Sequence, residues 1–250
     1  PVLGISDLLI HLSGEQMQKK AAVVVEGENL NIIVGSRPWK DPEEKDEEKK
    51  ELIKKTLLEY LKKEYGMEEE DFLSAELEAV PAGQARDFGL DRSMIMGYGQ
   101  DDRICGFTSL LAQLHADKPA YTAVCLLTDK EEIGSMGATG MQSRYFENVV
   151  AEVMNLTGQY SELALRRCLQ NSHMLSSDVS AAFDPNYASA FEKKNIAYLG
   201  HGMVFNKYTG SRGKSGSNDA CAEYIGALRK VMDDASVNWQ TAELGKVDQG

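Results

Sequence analysis

Apolar positions recur along this chain in two rhythms, and the rhythms mark out its elements. Ala21–Val25 and Leu30–Val34 are β-branched runs separated by Glu26-Gly27-Glu28-Asn29, a pattern that predicts a hairpin. From about 43 to 65 a charge-dense stretch carries Ile53, Leu57, Tyr60 and Leu61 at helical spacing, which gives an amphipathic helix ended by Gly66. Phe72–Val80 alternates, with Leu73, Ala75, Leu77 and Ala79 on one face, and Pro81-Ala82-Gly83 stops it, so a strand is expected there. Ile104, Phe107, Leu111 and Leu114 then fit a helix whose start lies at Asp101 and Asp102, where the dipole and free N–H groups favour negative charge. Ala123–Leu127 reads as a short buried strand, and Phe146, Val149, Val150, Val153 and Met154 as the inner face of the next helix. Met174 to Val179 is a further apolar stretch, Met203-Val204-Phe205 a strand, and Asn218 the cap of a helix to about Met232 with Cys221, Tyr224, Ile225 and Leu228 inward. The recurring order of strand, polar loop and helix from residue 72 onward predicts an α/β sandwich, with a domain boundary near residue 78.

Bulk composition narrows the partners. The chain has 250 residues, 42% of them hydrophobic and 26% charged, as in an ordinary globular protein. A formal net charge of −12 argues against nucleic acid or an anionic membrane as the main partner. No apolar run approaches the roughly 18 residues of a bilayer span. Cys105, Cys125, Cys168 and Cys221 lie far apart amid apolar or helical sequence, as reduced, buried cysteines of a cytoplasmic protein do, and no signal peptide is expected. Pro1 and the loop-like Asp248-Gln249-Gly250 suggest a piece of a longer protein.

Chemistry gathers where the predicted strand 123–127 runs out. Asp129, Glu131 and Glu132 stand there, followed by glycines at 134, 137 and 140. Loops at the carboxyl ends of strands present side chains from a rigid base, although a charged turn could equally be a simple strand cap. Adjacent glutamates point in different directions, so one can bind a metal while the other handles a proton. Asp101, Glu131, Glu132 and Asp178 each end a predicted strand or begin a helix, positions that converge on one sheet edge. Four ionised carboxylates share a pocket only if cations offset their repulsion. Two divalent metals about 3.5–4 Å apart would do so and would activate a water, and zinc would add an imidazole to each. Gly213-Lys214-Ser215 invites a phosphate-loop reading, but Tyr208 stands where the Walker pattern needs glycine. That loop could still cradle an anion such as a peptide carboxylate through its backbone.

Taken together, Tyr98-Gly99-Gln100-Asp101-Asp102-Arg103, Leu127-Thr128-Asp129-Lys130-Glu131-Glu132-Ile133-Gly134-Ser135, Ser176-Ser177-Asp178 and Asp184-Pro185-Asn186-Tyr187 resemble, in order and over nearly the whole chain, the aspartyl aminopeptidase and vacuolar aminopeptidase I family of di-zinc exopeptidases. The resemblance implies an α/β/α sandwich of the zinc exopeptidase type. Residues 1–78 would be part of an inserted β-rich dimerisation domain, and 79–250 the central part of the catalytic domain. It implies that Asp101 bridges both metals, that Glu132 binds one and Asp178 the other, and that Glu131 is the general base serving the attacking water and the leaving amine. It places His11 in the active site of a neighbouring subunit, and Lys207 with the 210–217 loop, including Gly213, Lys214 and Ser215, beside the substrate. Two zinc ions per subunit, peptide substrates, dimers and a tetrahedral dodecamer follow from the same likeness, with cobalt or manganese as alternative metals.

Two departures qualify it. The family's early His-Thr-Asp or His-Ile-Asp motif and late Met-His motif are both absent, and His115, His173 and His201 fit neither position. Each metal would therefore be short of a ligand within 1–250. Asp102 stands where asparagine is more usual. Besides the aminopeptidase, a non-catalytic assembly or binding module without a complete metal site, and a metal-free glycosidase using two of the carboxylates, remain as readings of the residues.

Overall fold

The computed structural model describes residues 1–38, 51–211, 215–244 and 246, without the side chains of 209–211 and 215–218. The chain divides into two compact units, Pro1–Tyr98 and Gly99–Gly250.

In the first unit, β1 (Gly4–Ile5) pairs antiparallel with β2 (Ile32–Ile33). The hairpin expected between 21–25 and 30–34 does not form. Ala21–Val23 and Gly27–Asn29 each close as a 3-10 turn, with Leu30 N–H donating to the Gly27 carbonyl at 3.1 Å. These turns consume the backbone groups that a ladder would need, and Ile32–Ile33 finds its partner far away in sequence. Helix α1 (Leu52–Tyr65) ends on Gly66 in the left-handed conformation, φ 70°, as the sequence predicts; the expected start, from 43 to 50, lies outside the described residues. The strand expected over 72–80 is also absent. Glu69–Leu73 is a 3-10 helix held by a capping box in which Asp71 accepts from the Glu68 N–H at 2.7 Å. Such local side-chain bonds outcompete a weak alternating pattern. The strands of this region fall later, at β3 (Arg86–Phe88) and β4 (Met94–Met96), an antiparallel pair.

The second unit is mixed α/β. Helix α2 (Gln100–His115) begins where Asp101 and Asp102 predict it, with both acids in its first turn rather than at its cap, which is Gly99. Phe107 and Leu114 of its expected inner face stay 59% and 69% exposed. Ala123–Leu127 carries no strand pairing; its tie to α2 is Gln113 Nε2 donating to the Ala123 carbonyl at 3.1 Å. Residues 174–179 likewise form no strand. Helix α3 (Tyr145–Leu156) matches the expected apolar spacing, and α4 (Glu162–Gln170) packs on it, capped by Ser161 Oγ accepting from the Ala164 N–H. A parallel pair closes the unit: β5 (Met203–Asn206) runs beside β8 (Trp239–Ala242), with the hairpin β6 (Tyr208–Ser211)–β7 (Ser215–Asp219) and helix α5 (Ala222–Asp234) between them. Parallel strands need such a crossover. Asn218 belongs to β7, and Cys221 caps α5 instead, exposed rather than inward. Gly202 is obligatory at the entry to β5, since a Cβ there would sit 2.2 Å from the Asn238 carbonyl oxygen. Gln240 locks the preceding turn, accepting from the Tyr198 N–H and donating to the Tyr198 carbonyl, both at 3.0 Å.

Among the described residues no helix is long and apolar enough to cross a membrane. The four cysteines are free, Cys168 and Cys221 exposed. Leu165 on α4 is 5% exposed and Leu163 56%. Leu165→Ala should cost about 2–5 kcal/mol through the cavity it leaves, and Leu163→Ala within about 0.5 kcal/mol of nothing. Urea unfolding of the two variants checks the contrast.

Candidate metal centre

Three acids meet in the second unit. One carboxylate oxygen from each of Asp101, Asp102 and Glu132 lies within 4.8 Å of the others. Asp101 and Asp102 arrive on the first turn of α2, where the free N–H groups of the helix favour anions, and Asp101 is half-buried. Glu132 arrives on a 3-10 turn, Glu131–Ile133, between Lys130 and Gly134, both in the left-handed region. That reversal brings Glu132 up against the first turn of α2.

Electrostatics show how closely. The Glu132 carboxyl is pushed above its ordinary range, first by the charge of Asp101, then by Glu131, then by lost hydration, Asp102 and Asp178. Asp178 is thus near enough for its charge to reach Glu132, although it is not one of the three clustered acids. One of its oxygens accepts from the Val179 N–H at 2.6 Å. Asp129 behaves in the opposite way. The Lys130 backbone N–H, its ammonium at 3.4 Å and the Thr139 hydroxyl at 3.3 Å hold its carboxyl below the ordinary range. Asp129 therefore braces the loop, while Glu131 and Glu132 stay exposed.

The other expected site residues are placed as follows. His11 is exposed on a tight turn of the first unit, pinned by the buried Ser13, whose hydroxyl donates to the Ile10 carbonyl at 3.1 Å. Lys207 follows β5, with its ammonium 3.1 Å from Asp219 and 3.2 Å from the Tyr208 hydroxyl. Tyr208 and then Asp219 hold its pKa above the usual value. Gly213, Lys214 and the side chain of Ser215 lie outside the described residues. Asp184 accepts from the Asn186 N–H at 2.8 Å and so caps the 3-10 helix Pro185–Ala190. No described histidine joins the acids. His115 ends α2, His173 stacks on Tyr224 at 4.8 Å and His201 on Tyr198 at 5.6 Å. Asp102, which the sequence placed at the helix start and set aside in favour of Asp101 as the bridging aspartate, joins the cluster as well.

Three carboxylates this close fit a divalent cation, which removes their repulsion. Oxygen donors alone suit magnesium or manganese, whereas zinc also takes imidazole. The donor set thus fits the carboxylate share of a zinc site.

Comparison with known proteins adds the following. The family model for the aminopeptidase I zinc metalloproteases (M18) matches residues 1–250. A probable M18 family aminopeptidase 1 of Clostridium acetobutylicum is 62% identical over 250 residues, all of this chain and 53% of the relative. The crystal structure of aminopeptidase I from the same organism matches all of this chain and 53% of its own at 60% identity, with a TM-score of 0.85. An M18 aminopeptidase from Thermotoga maritima matches all of this chain and 54% of its own at 43% identity, with a TM-score of 0.89. The mixed α/β fold is therefore the one seen in those crystal structures. The chain spans about half the length of the curated relatives it matches.

A raised carboxyl pKa in the folded state means that protonation favours folding. Glu132 therefore costs stability as pH rises out of the ordinary carboxylate range, and the cost persists at neutral pH when no cation is bound. Metal-free Glu132→Gln should melt above the metal-free wild type at pH 7, with the gap closing at pH 4; thermal melts in chelator measure it.

Proposed function

The chain belongs to the M18 aminopeptidase I family of zinc metalloproteases, and we propose that it carries the acidic half of the active site of a metal-dependent aminopeptidase. The observation that supports this best is the meeting of Asp101, Asp102 and Glu132 within 4.8 Å, with Glu131 on the same turn as Glu132. In this reading Asp101 would be shared between two zinc ions, while Glu132 would hold one and Asp178 the other. Imidazole ligands come from polypeptide outside these residues. Bound metal supplies a Lewis acid for the peptide carbonyl and a grip on the free amine. Glu131, exposed beside Glu132, would take the proton of the attacking water and return it to the leaving amine nitrogen. Lys207 and the 210–217 loop flank the substrate.

Residues 1–78 act as part of a dimerisation domain in this proposal, and 79–250 as the middle of the catalytic domain. His11 on its exposed turn reaches a neighbouring subunit's active site and helps to hold the reacting carbonyl. Assembly proceeds through dimers to a dodecamer, and the protein works in the cytoplasm on peptide N-termini.

Turnover of aminoacyl-p-nitroanilides by the intact protein, with its metal content, tests this. Glu131→Gln should lose about a hundredfold to ten-thousandfold in kcat while keeping its zinc, and Asp101→Asn should lose zinc. Chelator should abolish turnover, whereas a metal-free glycosidase would leave the anilides intact and keep hydrolysing glycosides in chelator. Residues 1–250 by themselves should bind zinc poorly and hydrolyse little. An intact protein that assembles but neither binds metal nor turns over would instead be the non-catalytic module.

A further inference from the structure

Resting on the aminopeptidase reading above, we propose that Gln142 is a positioning residue, fixing the orientation of the turn that carries Glu131 and Glu132. That turn is an unfavourable piece of backbone. Lys130, at φ 64°, opens it, Gly134, at φ 91°, closes it, and Ser135, at φ 59°, follows. Two of these three are not glycine, and side-chain-bearing residues persist in the left-handed region only where their surroundings hold them. Within the turn, the Ser135 N–H donates to the Lys130 carbonyl at 2.7 Å and the Gly134 N–H to the Glu131 carbonyl at 2.8 Å. These bonds close the reversal on itself. They do not set its direction relative to α2, where Asp101 and Asp102 wait.

Gln142 supplies the external tie. Its side-chain amide donates to the Gly134 carbonyl at 2.6 Å, and its backbone N–H donates to the Ser135 carbonyl at 3.2 Å. One residue thus grips both carbonyls at the exit of the turn. The neighbouring Ser143 ties this stretch to α3: its hydroxyl accepts from the first N–H of that helix at 3.3 Å, while its own N–H donates to the Gly140 carbonyl at 3.0 Å. The fit is close: a Cβ at the buried Gly140 would lie 2.1 Å from the Ser135 carbonyl oxygen. Upstream, the Asp129 N–H donates to the Thr139 carbonyl at 3.2 Å, so the two limbs of the loop are joined on both sides of the glutamates. Gln142 makes no hydrogen bond to either carboxylate, and its role is to aim them.

The test is made on the intact, zinc-loaded protein with Gln142→Met, which keeps length and loses the donor, and Gln142→Lys, which restores a donor of similar reach. We expect Gln142→Met to lose about tenfold to a hundredfold in kcat, the scale of a misplaced catalytic group, with KM changed by less than about twofold. Gln142→Lys should recover most of the loss. Wild-type kcat in Gln142→Met, or equal impairment in both variants, would overturn the proposal. Glu131→Gln measured alongside separates the two claims. If it turns over normally, Glu131 is not the base; if it is dead while Gln142→Met is not, only the positioning role fails.

Discussion

Like-charge repulsion at short range is the constraint on which the second unit turns. Asp101, Asp102 and Glu132 bring carboxylate oxygens within 4.8 Å, and Glu131 and Asp178 add charge that reaches Glu132. Gathering these groups costs stability, because each disfavours ionisation of the next. The N-terminus of α2 eases the burden on its two aspartates but does nothing for the glutamates on the opposing turn. A divalent cation is the remedy that matches both the charge and the ligand chemistry, and membership of a zinc metalloprotease family accords with it.

The glutamate turn answers that constraint mechanically. A flexible loop would swing its acids away from α2 and relax. This one cannot do so freely, since Lys130, Ser135, Gly134 and Gly137 commit it to left-handed backbone, and Gln142 and Thr139 fasten it back on itself. Asp129 illustrates the division of labour within three positions. Its carboxyl is satisfied by Lys130 and Thr139 and serves the scaffold, whereas Glu131 and Glu132 are left exposed.

Elsewhere the described residues leave apolar faces open. Phe107 and Leu114 on α2 and Val124 and Leu127 in the unpaired segment below it are between 58% and 69% exposed. Strands of a mostly parallel sheet are ordinarily covered on both faces, as are the helices that flank it. The relatives that share the fold are about twice as long.

Local grammar was legible from the sequence where it rested on short-range physics. Helical spacing gave α2 and α3, Gly66 ended α1, and the run Met203-Val204-Phe205 became β5. Two acids of the cluster, Asp101 and Glu132, stood at predicted element ends, whereas Asp178, expected beside them, lies outside the cluster and Asp102 lies in it. What the sequence by itself could not determine was pairing. Ile32–Ile33 joins Gly4–Ile5 rather than its neighbour in the chain, Ala123–Leu127 stays unpaired, and Asp102 enters the cluster only because the glutamate turn folds back onto its side of α2. Side-chain spacing is a property of a dozen adjacent residues, whereas strand partners and carboxylate distances depend on contacts between segments far apart in the chain. Only tertiary structure decides those.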